Sequence, residues 1–371
     1  VVYFGAEVLV NSEGRGGGNF LRPYIILAFM AAVALPVITW QGFYIHQAHA
    51  AVEVTQNFQT THSFANAQLL YTIRGHDGTV KSLTFSPDSR ILVSGGAENE
   101  GVIRLWNPVN GKKLADINKA HKAAVESLVI SPDGQTLASC SDDNTINLWN
   151  LKNLKFSRSF VGHTSNVLSL AVSPDSKVLI SGALDGIRLW DLVQQRPLGI
   201  LVGFDNLIYT LAISPDGQTL ASGDNKGVIK LWNLSTGKLI NEFVAHSNSV
   251  SAVMFTPDGE TLVSASRDRT VKLWNINTGE LVRTLPSERY ANTGHNNWVN
   301  AIAINPDGQT LASAGRDGIK LWNLTTGELI NTLSGHRDWV SAIAFSPNGK
   351  ILASGGFDQQ IKIWGTPQKR N

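Results

Sequence analysis

An all-β fold, a closed ring of seven blades each made of four short antiparallel strands, is predicted by three observations. The tripeptides LWN, LWN, LWD, LWN, LWN, LWN and IWG place tryptophan at 106, 149, 190, 232, 274, 322 and 364, at spacings of 43, 41, 42, 42, 48 and 42 residues. A Gly-His or Ala-His pair precedes six of them, at His76, His121, His163, His246, His295 and His336, while the fourth copy has Gly203-Phe204. Between the two recurs a turn, reading SPDS, SPDG, SPDS, SPDG, TPDG, NPDG and SPNG in order. Such a period marks a repeat architecture, in which one unit cannot cover its own apolar faces and its neighbours must.

Within a copy the elements follow from local pattern. VSAIAFS is apolar and β-branched, so it reads as a strand; Pro-Asn-Gly then turns the chain into KILASGG, the second strand. A second turn leads to IKIW, the third. After the tryptophan a polar turn such as NLTTG or NINTG precedes a fourth strand such as ELINTL. Seven copies of four strands give a seven-bladed β-propeller, and ring closure removes the free ends. Composition agrees: 16% charged and 43% hydrophobic residues with 34 glycines describe a turn-dense β protein and exclude a disordered one. Lys+Arg 31 against Asp+Glu 29, with no basic block, argues against nucleic acid as a partner. Cys140 is the only cysteine, so an intrachain disulfide and a cysteine zinc cage are both excluded.

The Gly-His…Trp-(Asp/Asn) pattern at this spacing resembles the WD-repeat β-propeller family, and the match covers residues 67–366. Asn or Gly usually stands where the family has Asp after Trp; only Trp190-Asp191 keeps it. The last copy stops at Trp364-Gly365 without a fourth strand, and QLLYTIRGH at 68–76 is similar to ELINTLSGH at 328–336. The resemblance implies that residues 68–74 supply the outer strand of the final blade and so close the ring.

Aligned in phase, the copies repeat one set of four residues. The sets are His121, Ser139, Asp143 and Trp149; His163, Ser181, Asp185 and Trp190; His246, Ser264, Asp268 and Trp274; His295, Ser313, Asp317 and Trp322; and His336, Ser354, Asp358 and Trp364. Ser, His and Asp are the side chains of a nucleophilic triad, but an enzyme needs one activated nucleophile in one cleft. Five identical sets point to a repeated structural bond, and no residue is assigned a catalytic role. The resemblance implies a hydrogen-bonded chain in each blade, from Asp to His to Ser to the indole N–H. Copy four has Phe204 for His and Lys226 for Asp, with Asp224 two positions earlier; copy one has a lengthened GGAENEG turn with Glu100 in the Asp position. Both departures are read as drift in blades held by their neighbours, or as local adaptation to a partner.

In this architecture the Gly-His loop and the Asp turn open on one face, where the unrepeated residues concentrate. Before the first strand stand Thr79, Ala124, Asn166, Leu207, Ser249, Trp298 and Trp339; beside the turn stand Asn99, Asp142, Leu184, Asn225, Arg267, Arg316 and Phe357. Arg267, Trp298, Arg316, Trp339 and Phe357, all in copies five to seven, are types enriched at interface hot spots. The insertion PSERYANT, residues 286–293, adds Arg289 and Tyr290, and these seven residues form the expected surface for a protein or peptide partner. Leu184, Leu207 and Tyr209 suggest a second, more apolar patch. No carboxylate group has metal-site spacing and no cofactor is implied. Asn233-Leu234-Ser235 and Asn323-Leu324-Thr325 match a glycosylation triplet but read more simply as turn residues.

The N-terminal part is different material. Residues 1–21 are unassigned; 22–50 form a hydrophobic anchor or signal peptide; 51–66 are a polar linker; 367–371 are a tail. YIILAFMAAVALPVITW is uncharged, and with the residues through Ile45 it is long enough to span a bilayer as residues 22–45 if uncleaved. Ala48-His49-Ala50 before Ala51 also fits a signal cleavage site. Either way Arg15 and Arg22 favour the cytoplasm, so the propeller is expected membrane-anchored or exported, on the non-cytoplasmic side. The function expected is a non-catalytic interaction scaffold. The alternatives are the C-terminal sensor part of a larger membrane enzyme, such as a receptor-like kinase, or an unrecognised hydrolase.

Overall fold

The computed structural model describes residues 64–97, 101–202, 207–286 and 292–367. Residues 1–63, the insertion residues Arg289 and Tyr290, Asn99, Glu100 and Phe204, and residues 368–371 of the tail lie outside the described residues. Among the described residues, 28 strands form seven four-stranded sheets, the ring of seven antiparallel blades that the repeat predicts. No helix among them is long and apolar enough to cross a membrane, and the expected segment 22–45 is not among them.

Blade 6 shows how a copy folds. Val299–Ile304, Thr310–Gly315, Gly318–Asn323 and Leu329–Leu333 pair in that order. The NPDG turn between the first two is closed by Gly308 N–H donating to the Asn305 carbonyl at 2.9 Å. Gly308 sits there at φ +68°, where a side chain is disfavoured. Every residue of Thr310–Gly315 is buried, which explains its run of small and apolar side chains with no polar face.

The core is divided into seven clusters, each shared by two neighbouring blades. Trp149 of blade 2 packs with Ile103, Leu105 and Ile117 of blade 1, and Trp274 of blade 5 with Ala221, Ile229 and Leu231 of blade 4. Trp322 of blade 6 packs with Val263, Leu273 and Leu285 of blade 5. Trp364 of blade 7 packs with Ala312 and Leu321 of blade 6, and Trp106 of blade 1 with Ala353, Ile361 and Ile363 of blade 7. The tryptophan of each blade thus covers the blade before it. Blade faces are buried only in the ring, as expected when burial, at about 25 cal/mol per Å², is the main stabilising term.

The last seam is closed by the segment expected to close it. Gln68–Arg74 pairs antiparallel with Gln360–Gly365 as the outer strand of blade 7, with Thr72 opposite Lys362 and Ile73 opposite Ile361. Ile73 is buried in the cluster that joins blades 7 and 1. Packing starts before this strand: Phe64, in the stretch read as linker, is buried and meets Phe345 edge-on at 5.0 Å. Asn331 of blade 6 donates its amide to the Ala65 and Ala67 carbonyls.

Candidate functional site

The five repeated sets are hydrogen-bonded chains. In blade 6, His295 Nδ1 donates to Asp317 at 2.7 Å, and Trp322 Nε1 donates to Ser313 Oγ at 2.7 Å. His295 Nε2 lies 2.7 Å from the same Ser313 Oγ. Asp can only accept and indole only donate, so the serine oxygen takes the indole proton and the carboxylate takes the Nδ1 proton. Blades 2, 3, 5 and 7 repeat the chain, with shortest His–Asp distances of 2.5–3.1 Å and His–Ser distances of 2.7–2.8 Å. Their indoles donate in the same way: Trp190 to Ser181, Trp274 to Ser264 and Trp364 to Ser354, each at 2.8 Å, and Trp149 to Ser139 at 3.2 Å. Ser139, Ser181, Ser264, Ser313 and Ser354 are all fully buried. A nucleophile with one lone pair held by an indole and no solvent access cannot meet a substrate. The arrangement satisfies buried polar groups that would otherwise cost about 1–3 kcal/mol each.

The structure departs from five equal copies at two tryptophans. Trp149 and Trp274 are 7% and 6% exposed, whereas Trp190, Trp322 and Trp364 are 2% or less. The aromatic neighbours of these rings also differ. Trp190 stacks on the buried Phe160 at 4.8 Å. Trp149 instead meets Phe156 edge-on at 5.3 Å, and Phe156 is itself exposed. Trp274 lies tilted at 4.8 Å from the half-buried Phe243, with the Lys272 ammonium 5.7 Å from its ring centre. The indole N–H of both still reaches its serine, so the looser cover leaves the hydrogen-bonded chain in place.

The two irregular blades keep part of the chain. In blade 1 Ser94 Oγ accepts the Trp106 indole N–H at 2.8 Å and lies 2.8 Å from His76 Nε2. Blade 4 keeps Trp232 Nε1 to Ser222 at 3.0 Å, while Asp224 caps its own turn by accepting the Lys226 and Val228 N–H groups.

Burial alone would raise the five turn carboxyls, but the bonds from the imidazoles and neighbouring N–H groups outweigh it and hold all five below the usual range. For Asp268 the donors are His246 and Thr270. A carboxyl whose folded pKa lies below its unfolded value contributes stability that is complete above about pH 4 and is lost as pH falls through the folded value. The stability difference between the native chain and Asp268→Asn should therefore stay constant from neutral pH to about 4 and shrink below it. Urea midpoints across that range check this; a difference that already shrinks near pH 6 would count against it.

The unrepeated residues gather at the mouth of the ring on the same face. Arg267 lies 5.1 Å from the Trp298 ring centre and 5.7 Å from that of Tyr209. Trp298 and Trp339 are 5.4 Å apart, and Arg316 stands 6.0 Å from the Trp339 ring. One ladder of rings and guanidinium groups therefore runs from blade 4 to blade 7. Trp298 remains 44% exposed and Phe357 48%. Gly315 allows the approach of strands here: a Cβ on it would stand 2.5 Å from the Trp298 carbonyl oxygen. The ladder borders a cavity of about 620 Å³ lined also by Lys81, Glu126 and Asp142.

Of the expected partner residues, Arg267, Trp298, Arg316, Trp339 and Phe357 are brought together; Arg289 and Tyr290 lie outside the described residues. Tyr209, assigned to a separate patch, belongs to the main ladder through Arg267. Sequence reasoning missed Lys81 and Glu126, which pair at 2.9 Å across the seam between blades 1 and 2. A signal existed: the second residue of the first strand is Lys81, Glu126, Leu168, Tyr209, Ser251, Asn300 and Ser341, a column in which only serine recurs. Asn233 and Asn323 cap their own turns through Oδ1, accepting from Thr236 and from Thr325 and Thr326.

A ring of seven blades, each locked by a buried Asp–His–Ser–Trp chain or its remnant, defines a propeller whose repeated polar residues are structural. Residues 97–290 match the family described as IFT122 first beta-propeller, and residues 67–107, 279–323 and 327–365 match the WD domain, G-beta repeat. The chain belongs to the WD-repeat β-propeller family. It is similar to WD repeat-containing protein srw1 of Schizosaccharomyces pombe, 32% identical over 117 residues, covering 31% of this chain and 21% of that protein. Anaphase-promoting complex subunit cdh1 of Dictyostelium discoideum is 31% identical over 117 residues, covering 31% and 16%. DDB1- and CUL4-associated factor 10 of Homo sapiens is 30% identical over 135 residues, covering 35% and 24%. The chain therefore spans about a quarter or less of the length of these relatives.

Proposed function

We propose that this chain is a non-catalytic protein–protein interaction scaffold that docks a protein or peptide partner on the Gly-His face of blades 5–7. The observation that carries the reading is the Tyr209–Arg267–Trp298–Trp339–Arg316 ladder: large aromatic and guanidinium groups, partly exposed, beside a cavity on a rigid ring. Names of the relatives support it, since one is a subunit of an anaphase-promoting complex and another a factor associated with DDB1 and CUL4. The buried serines speak against a hydrolase built on the repeated sets. The scaffold is presented on or beyond a membrane by residues 22–50, as anchor or export signal, with the propeller on the non-cytoplasmic side.

Affinity capture from membranes tests the reading, with the full chain against a Trp298→Ala/Trp339→Ala double variant. The variant should lose specific partners while melting at the native temperature. Identical partner sets would refute the face. Sequencing the N-terminus of the same preparation tests the presentation: a start at Ala51 means an exported, cleaved chain, and retention of residues 22–45 an anchored one.

A further inference from the structure

We infer that the mouth of the ring takes an acidic peptide, an extended segment carrying a carboxylate side chain beside an apolar or aromatic one. This rests on the reading of that face as the partner surface and adds the chemistry of the partner.

The charges around the mouth are not equally spent. Lys81 and Glu126 neutralise each other at 2.9 Å, and Asp142 accepts the Asn166 amide at 2.8 Å. Arg267 and Arg316 are both exposed, and among the described residues no carboxylate forms an ion pair with either. Each lies over an aromatic ring, which holds the planar group while leaving its N–H edge open to a planar, singly charged acceptor. Lys81 cancels Glu126, and Arg267 with Arg316 outweighs Asp142, so the balance of charge at the mouth is positive and its complement is an acid.

The shape of that acid follows from the placement. Arg267 and Arg316 stand over separate rings on separate blades, an arrangement that suits carboxylates spaced along a chain. The exposed faces of Trp298 and Phe357 lie in the same cavity and are open to an apolar side chain. A polyanion fits poorly, because Glu126 and Asp142 line the same mouth. A basic peptide would meet Arg267 and Arg316, which outnumber the one carboxylate of the mouth without an ion-pair partner among the described residues, Asp142.

The test uses the full chain and a random linear-peptide library displayed on phage. Selected peptides should be enriched in Asp or Glu next to Leu, Ile, Phe or Trp. They should bind Arg267→Glu/Arg316→Glu at least about tenfold more weakly, and changing the peptide's acid to Lys should restore binding to that variant. Arg267→Gln/Arg316→Gln, a smaller change, serves the same purpose should the charge reversal unfold. Peptides that lose binding to Trp298→Ala/Trp339→Ala but carry no acid, or ignore the arginine substitutions, overturn the acidic chemistry and leave the face as partner surface. Peptides indifferent to all the substitutions overturn both readings. A library that yields no binder overturns the inference, as does a gain of more than about tenfold when phosphoserine replaces the acid, which points to a phosphopeptide.

Discussion

Deletion of residues 67–74 from the full chain is expected to abolish cooperative folding of the propeller at physiological temperature. The strand contributes its whole ladder to Gln360–Gly365, and Ile73 belongs to the cluster shared by blades 7 and 1. Without it Trp364, Ile363 and Ile361 lose cover, and the edge of blade 7 is left with unpaired backbone groups. Burial of one such side chain is worth about 1.5–3 kcal/mol, so losing several at once approaches the whole of the roughly 5–15 kcal/mol of a typical domain. Every other seam depends on the ring being shut, so the loss spreads. Thermal melting of the deletion variant checks this, and a native-like transition would sink the clasp.

The second large effect is expected at Trp322. It is 0% exposed, packs in the cluster between blades 5 and 6, and donates its indole proton to Ser313. Trp322→Ala should cost about 3–5 kcal/mol, mostly from the cavity. Trp322→Phe, which keeps most of the ring but drops the N–H donor, should cost about 1–2 kcal/mol. The same pair of substitutions at Trp232 should cost less. That residue is 9% exposed, and its blade has Phe204 and Lys226 where the five complete chains have His and Asp. Urea denaturation of the four variants measures the series; a Trp322→Ala variant within about 1 kcal/mol of the native chain would remove the basis for treating these tryptophans as seam anchors.

How much of this was legible depends on whether a residue repeats. The blades, the Asp–His–Ser–Trp chains and even the displaced closing strand could be read because each feature recurs in phase. The copies act as controls for one another. How tightly each copy is sealed could not be read that way. Trp149 occupies the same repeat position as Trp322, yet its ring meets Phe156, which stands where four other blades carry leucine. Trp190 and Trp274 meet phenylalanines at one repeat position, Phe160 and Phe243, but at interplanar angles of 9° and 41°. Tyr209 and Arg267 are 58 positions apart in the sequence and meet only because blades 4 and 5 stand side by side. Lys81 and Glu126 likewise face each other across a seam. Phe64 lies outside the period, and nothing in a single polar stretch announces that one ring will pack against Phe345.

The closing strand also sets an order in time. Thr72 meets Lys362 across 290 residues, so the piece that completes the last blade is made first and its partner last. At synthesis rates of about 5–20 residues per second, that separation is a delay of roughly 15–60 s. Through that interval Ile73 has no blade 7 to enter, while six complete blades can already assemble behind it. The fold of this ring is local nearly everywhere, and its slowest contact is one pairing between its two ends.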